Sequence, residues 1–304
     1  MGRSFSAFMV DFYFRQRSAW RRSKPHSAKS FAKMLERNHK QTLAFTKERV
    51  QKYVTSEVTL TDFEGRKVFA FGNQSSQTTL IYFIGCAYVE SPTKYHFKML
   101  NKMAEQYGYK IVVPIYHTIQ ESDYEQEYPI LRKIYEYYSS YASKVIIGGD
   151  SSGGGLAMGL SYYLQDNNIR KPDLLLLISP WVDVNVVNNN KYVPELKHDH
   201  MVYPERMDKV ASMWAKGEEN YQNKLVSPIY GPLETLPPII LVYGTYEFLY
   251  RSIKDIEDKL KTSRVPLVAH CYPKMGHSFP VYPIKEANRV LSEIKEDIKK
   301  LLVV

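Results

Sequence analysis

Between the β-branched run Val145-Ile146-Ile147 and the small-residue stretch Gly154-Gly155-Leu156-Ala157-Met158-Gly159-Leu160, the chain reads Gly149-Asp150-Ser151-Ser152-Gly153. Those flanks predict a buried strand that runs straight into a helix packed tightly on a sheet. A G-x-S-x-G turn in that setting holds its serine in a strained conformation at the tip, as a nucleophile elbow. The residues two before and two after must be small, because the backbone folds back on itself there. Ser151 is therefore the candidate nucleophile, with its hydroxyl exposed and the Ser152 amide aimed at a reacting carbonyl. Ser152 itself fails the same test, since Asp150 and not glycine stands two residues before it.

The rest of the chain supplies the sheet that such an elbow needs. Strands are expected at Thr79–Ile84, Tyr109–Ile115, Lys144–Ile147, Leu174–Ile178, Ile239–Tyr243 and Leu267–Tyr272. Helices alternate with them at His96–Tyr107, Tyr124–Tyr141, Ser252–Lys261 and Ile284–Leu302. This alternation predicts an α/β fold with a mostly parallel central sheet and helices on both faces. Ligands in such sheets bind outside the carboxyl ends of the strands, which is where the elbow lies. Val54–Leu60 and Lys67–Phe71 read as two antiparallel strands around Asp62-Phe63-Glu64-Gly65.

Upstream, Phe5–Trp20 reads as one amphipathic helix, Ser23-Lys24-Pro25-His26-Ser27 as a breaker, and Ala28–Tyr53 as a longer helix with Phe31, Leu35 and Leu43 on its apolar side. The expected division is an N-terminal helical cap over residues 1–53 and a catalytic domain over 54–304. Residues 185–225 interrupt the alternation as an insertion contributing to the cap. The aromatics Phe8, Phe12, Tyr13, Phe14 and Trp20 need an apolar surface, and a cleft at the carboxyl ends offers one.

Charge sorts the same way. Residues 1–50 hold 12 Lys/Arg against 3 Asp/Glu, so the whole +9 net charge of the 304-residue chain resides there. Arg15, Arg17, Arg21, Arg22 and Lys24 fit a solvated helix face; they also fit attraction to an anionic lipid surface or nucleic acid. No zinc spacing or RNA-binding signature accompanies them, so no nucleic-acid partner is expected. No run approaches the ~18 apolar residues of a membrane span, so stable insertion is not expected either. Phe5–Val10 is too short for a signal sequence. Met1-Gly2-Arg3-Ser4-Phe5-Ser6 matches only a loose myristoylation pattern. Two isolated cysteines, Cys86 and Cys271, form neither a disulfide framework nor a metal site, which fits a cytoplasmic location.

An activated serine needs a base, and the base needs an orienting acid. In sheets carrying this elbow, acid and histidine follow the serine in that order. Glu247 directly follows the strand Ile239–Tyr243, and His277 follows Leu267–Tyr272, so both are expected above the same edge. Asp183 is the rival acid, one strand earlier than the commoner arrangement. His198 and His200 flank Asp199 without a third ligand group at a sensible spacing, and no metal is expected. His117 precedes the serine and His270 lies within a strand.

The chain resembles the hormone-sensitive-lipase-like branch of the α/β-hydrolases in Gly149-Asp150-Ser151-Ser152-Gly153-Gly154, Ser179-Pro180-Trp181-Val182-Asp183, Ser227-Pro228-Ile229-Tyr230-Gly231, Leu236-Pro237-Pro238 and Gly276-His277-Ser278-Phe279. The match runs from about Thr79 to Phe279. The resemblance implies esterase or lipase activity on acyl esters, an N-terminal helical cap and no cofactor. It departs at two places. The family's His-Gly-Gly-Gly oxyanion loop aligns with Ile84-Gly85-Cys86-Ala87, and its Asp-Pro-Leu acid segment with Glu247-Phe248-Leu249. The combined expectation is a serine carboxylester hydrolase for small to medium acyl esters, using Ser151, His277 and Glu247. The amides of Cys86, Ala87 and Ser152 would hold the oxyanion, on a loop supported by Gly85, Gly149, Asp150 and Gly153. The Cys86 thiol and Ala87 methyl are expected to narrow the pocket, and alkylation of Cys86 to block it. Two alternatives remain: an amidase or peptidase with the same triad, and a catalytically weak hydrolase fold used for binding.

Overall fold

The computed structural model describes residues 3–22, 27–186, 198–202 and 204–302. Met1-Gly2, the breaker at 23–26, residues 187–197 and 203 of the insertion and Val303-Val304 lie outside the described residues, as do the side chains of residues 18–22, Leu43 and Glu205.

Helix α1 (Phe5–Arg22) is followed by α2 (Ala28–Leu43) and the short α3 (Lys47–Gln51). The single helix expected over Ala28–Tyr53 is thus two. Thr46 restarts it as an N-cap whose side chain accepts from the Arg49 amide, and Phe45, at the break, is buried in the core. Strand β1 (Thr59–Phe63) begins later than the expected Val54–Leu60 and pairs antiparallel with β2 (Arg66–Gly72) through the turn at Glu64-Gly65. Both turn residues have positive φ, 52° and 85°, which suits the twist of a tight hairpin.

The alternating part follows as β3 (Thr78–Phe83), α4 (Lys94–Tyr107), β4 (Lys110–Pro114), α5 (Tyr124–Ser139), β5 (Lys144–Asp150), α6 (Ser152–Asp166) and β6 (Leu174–Ile178). After the insertion, which contains α7 (Pro204–Ala215), come β7 (Ile239–Tyr246), α8 (Tyr250–Thr262), β8 (Leu267–Gly276) and α9 (Lys285–Leu302). The strands form one sheet in the order β1-β2-β4-β3-β5-β6-β7-β8, parallel from β4 to β8.

Strand periodicity divides the core into two layers. Leu80, Tyr82, Leu174 and Leu176 face α4 and α9, meeting Phe97, Leu100, Val290 and Ile294. Ile81, Phe83, Leu175 and Leu177 face α5, α6 and α8, meeting Leu131, Ile134, Leu156, Leu160 and Ile253. Each such side chain contributes about 1.5–3 kcal/mol by leaving water. From β3 the chain moves to β4 on one side and then crosses back to β5 on the other. A crevice opens at the carboxyl ends of β3 and β5 for that reason, since their following segments diverge.

Candidate active site

The elbow is built by backbone crowding. A Cβ on Gly149 would lie 2.3 Å from the Gly153 carbonyl oxygen, and one on Gly153 would lie 2.0 Å from that of Phe83. Only glycines let β5 turn into α6 this sharply. Ser151 sits between them at φ 51° and ψ −124°, a conformation that L-residues avoid. Its amide donates to the Ile178 carbonyl at 3.0 Å, and its own carbonyl accepts from Trp181 at 2.8 Å. These bonds offset the strain and fix the tip.

Glu247 and His277 arrive from the neighbouring strands. β8 runs on to Gly276, four residues beyond the expected end, and so places His277 at its carboxyl end. A bulge between Gly244 and Tyr246 turns β7 toward it. His277 Nδ1 lies 2.8 Å from Glu247 Oε2. The other Glu247 oxygen accepts from the Gly244 amide at 2.7 Å and the Ser179 hydroxyl at 3.1 Å. Ser179 in turn accepts from the Ser278 amide at 3.1 Å. Both members of the pair are buried. Burial alone would lower the His277 pKa, but the hydrogen bond and charge of Glu247, aided by the charges of Asp199 and Asp150, raise it above its ordinary value. Asp183, the rival acid, lies elsewhere; it accepts from the Asn185 amide at 2.9 Å.

Ser151 and His277 share a cleft of about 940 Å³, counted with its open mouth. Its apolar wall comes from Met34 of α2, Ala87, Val202, and Met207 and Val210 of α7. The Ser151 hydroxyl and His277 are not hydrogen-bonded to each other in this structure, and both border the open space.

The loop after β3 stands opposite. Gly85 has no room for a side chain, because a Cβ there would lie 2.4 Å from the Asp150 carbonyl oxygen. Its amide donates to Asp150 Oδ1 at 3.0 Å, as does the Tyr82 hydroxyl at 3.1 Å. The His96 ring stands 3.5 Å from the other Asp150 oxygen. Burial opposes the Asp150 charge, but His96 and the Gly85 amide hold its pKa below the usual carboxylate value.

Two contacts in this loop bear on its expected roles. The Cys86 amide donates to the Ser152 hydroxyl at 3.1 Å, so it is already engaged; the Ala87 and Ser152 amides have no acceptor among the described residues. The Cys86 thiol is held 3.0 Å from the Tyr116 hydroxyl. That hydroxyl also donates to the Ile84 carbonyl at 2.7 Å and meets Ser152 Oγ at 3.3 Å. Burial raises the thiol pKa to about 12. The thiol is tied to the loop's own support, which slows its alkylation and leaves untouched the expectation that a modified Cys86 would block the pocket.

Ser179, Tyr116, His96 and Asp199 have no role assigned from the sequence. Ser179 opens the Ser-Pro-Trp motif and was legible there. Asp199 lay between two histidines that drew attention as metal ligands. Instead its carboxylate accepts from the Met201, Val202 and Phe248 amides at 2.8–2.9 Å, tying the insertion to the segment beside Glu247. His198 stacks on Tyr246, with ring centroids 4.2 Å apart. His270 pairs with Asp297 at 2.6 Å, and the His117 amide donates to Glu127 at 3.3 Å; neither residue lines the cleft.

The model of a family described as alpha/beta hydrolase fold matches residues 80–281. An esterase of Acinetobacter venetianus is 25% identical over 229 residues, covering 73% of this chain and 75% of its own. An acetyl-hydrolase of Streptomyces hygroscopicus is 23% identical over 221 residues, covering 71% of this chain and 73% of its own. Among solved structures, an esterase from the bacterial hormone-sensitive lipase family superposes with a TM-score of 0.78 at 20% identity, covering 99% of this chain and all of that one. That last likeness is one of fold.

Proposed function

The chain belongs to the α/β-hydrolase family, and from that premise we propose that it is a serine carboxylester hydrolase whose triad is Ser151, His277 and Glu247. The observation that carries the reading is the buried 2.8 Å Glu247–His277 contact, whose histidine lines the same cleft that Ser151 enters from a strained elbow. Esterase and acetyl-hydrolase relatives support the reaction class.

In this mechanism Ser151 Oγ attacks the acyl carbonyl while its proton passes to His277 Nε2. Glu247 holds Nδ1–H toward itself and stabilises the imidazolium. The tetrahedral oxyanion is received by the Ala87 and Ser152 amides, the latter at the N-terminus of α6, where amides have no partner within the helix. Collapse expels the alcohol, which takes the proton from His277. Water, deprotonated by the same ring, then attacks the acyl-enzyme and releases the carboxylic acid. The Cys86 amide acts differently, since its bond to Ser152 Oγ locks the loop to the elbow.

Helices α1, α2 and α7 act as the cap, a role supported by Met34, Met207 and Val210 in the cleft wall and by Ala7, Val10 and Phe14 of α1 in the adjoining space beside His277. The substrates are esters with small to medium acyl groups. A p-nitrophenyl ester series run beside the matching anilides tests this reading. Ester turnover abolished by a fluorophosphonate bound to Ser151 is expected; anilide preference, or no labelling of Ser151, would overturn it.

A further inference from the structure

Helix α1 does not spend its aromatic residues on the cleft. Its inward face carries Ala7, Val10 and Phe14, and Phe14 meets the Tyr282 ring edge-on at 5.1 Å. The preceding turn is pinned to α9, where the Ser4 amide and hydroxyl donate to Glu286 at 2.6 and 2.7 Å. The opposite face holds Phe5, Phe8, Met9, Phe12 and Tyr13, with 46–78% of each exposed. This reverses the expectation that Phe8, Phe12 and Tyr13 line the cleft. Their spacing of three and four residues puts all five on one stripe. At 100° per residue Arg15 and Arg17 fall on its two margins. Five contiguous exposed apolar side chains are more than a folded chain leaves in water without a use.

We propose that this stripe docks on an anionic lipid surface, with α1 lying in the plane of the interface. A helix that lies in a lipid interface has an aromatic face to enter the acyl boundary, and basic side chains beside it whose long stems let their charged ends reach headgroup phosphates. Charge selects this occupant over the others. Residues 1–50 carry a net +9, which favours an anionic surface and opposes a second copy of the same segment. A nucleic acid would be met by a cationic centre, whereas the centre of this face is aromatic and its arginines are marginal. The inward side of the same helix borders the space beside His277 through Ala7, Val10 and Phe14. Docking therefore brings the lipid close to the candidate active site without requiring any residue there to bind it.

The test is flotation of the full chain with vesicles of phosphatidylcholine, alone or mixed with phosphatidylglycerol. Wild type should float with the mixed vesicles, weaken as salt is raised, and bind pure phosphatidylcholine far less. The triple variant Phe5→Ser/Phe8→Ser/Phe12→Ser should lose flotation while hydrolysing a soluble ester like wild type. The double variant Arg15→Gln/Arg17→Gln should weaken binding about fivefold per charge, and it leaves the apolar stripe intact. No flotation of the wild type, or flotation that is indifferent to the triple variant, would overturn the proposal. So would a phenylalanine-dependent dimer that ignores vesicles, or retention of DNA through the arginines alone. Because flotation reads binding and not turnover, its failure leaves the hydrolase reading standing, and the reverse.

Discussion

Glu247 Oε2 and His277 Nδ1 stand 2.8 Å apart at the carboxyl ends of two adjacent strands, with the carboxylate fully buried and the imidazole nearly so. The pair raises the histidine's pKa above 6.5, and a general base works only when neutral. Turnover should therefore fall on the acid side through a pKa higher than that of free imidazole. Glu247→Gln removes the charge that raises it, so the acid limb should move to lower pH while the plateau of kcat drops by about 10²–10⁴-fold. Asp199→Asn should move the limb the same way by less. The check is kcat/KM against pH for the three proteins. If Asp183→Asn reduces turnover more than Glu247→Gln, the acid is misassigned.

Ser179 joins Glu247 to the segment after His277, donating to Glu247 Oε1 and accepting from the Ser278 amide. Ser179→Ala leaves one buried carboxylate oxygen with a single donor and frees the backbone after His277. The expected result is a kcat about tenfold lower with KM nearly unchanged, since the loss is one of positioning worth about 1.4 kcal/mol. A pure stability defect would instead lower Tm and leave kcat per folded enzyme intact.

The sheet was legible because buried parallel strands are written as continuous β-branched and leucine runs, of which Leu174–Ile178 is the plainest. The elbow was legible because its crowding demands glycine at two fixed positions. What could not be read locally was set by tertiary contacts. The break at Thr46 depends on Phe45 finding a pocket in the core, and a helix-period pattern across Ala28–Tyr53 conceals it. The facing of α1 likewise follows from its anchoring through Ser4 and Phe14, which sequence spacing does not reveal. In the loop after β3 the engagement of the Cys86 amide by Ser152 Oγ depends on a side chain 66 residues away.

Tyr116 ties that loop to the elbow through its hydroxyl. Tyr116→Phe removes the donor to the Ile84 carbonyl and the partner of both Cys86 Sγ and Ser152 Oγ. A buried acceptor left unmatched costs about 1–3 kcal/mol, measurable by denaturant titration. Turnover should fall as well, because the loop carrying the Ala87 amide loses its anchor. Unchanged stability and turnover together would show that the hydroxyl has no supporting role.

Cys86 should be slow toward iodoacetamide. With its pKa near 12 it holds about a thousandfold less thiolate at neutral pH than an ordinary thiol. Cys271 is exposed and should be modified first. Mass spectrometry of partly alkylated enzyme should therefore find label on Cys271 while turnover persists. Rapid labelling of Cys86 would contradict the tethering by Tyr116.

Ala87 carries the most direct consequence of the altered loop. It sits at φ 48°, and Tyr88 follows at 55°, where the family pattern has glycine at the first of these positions. An alanine in the left-handed region costs about 1–2 kcal/mol, against about 0.4–1 kcal/mol that glycine would add in unfolded-chain entropy. Ala87→Gly should therefore be neutral or slightly stabilising, which is unusual for a change to glycine. Ala87 also lines the cleft and has packing neighbours in the core, so losing its methyl enlarges the space beside the proposed oxyanion site. Wild type should hydrolyse unhindered esters and spare those of tertiary alcohols, and Ala87→Gly should gain on the hindered class while changing little on p-nitrophenyl acetate. The comparison needs kcat/KM for both ester classes and a denaturant midpoint for each protein. Loss of stability by more than ~1 kcal/mol, with no gain on hindered esters, would mean that the methyl packs the loop and does not limit the pocket.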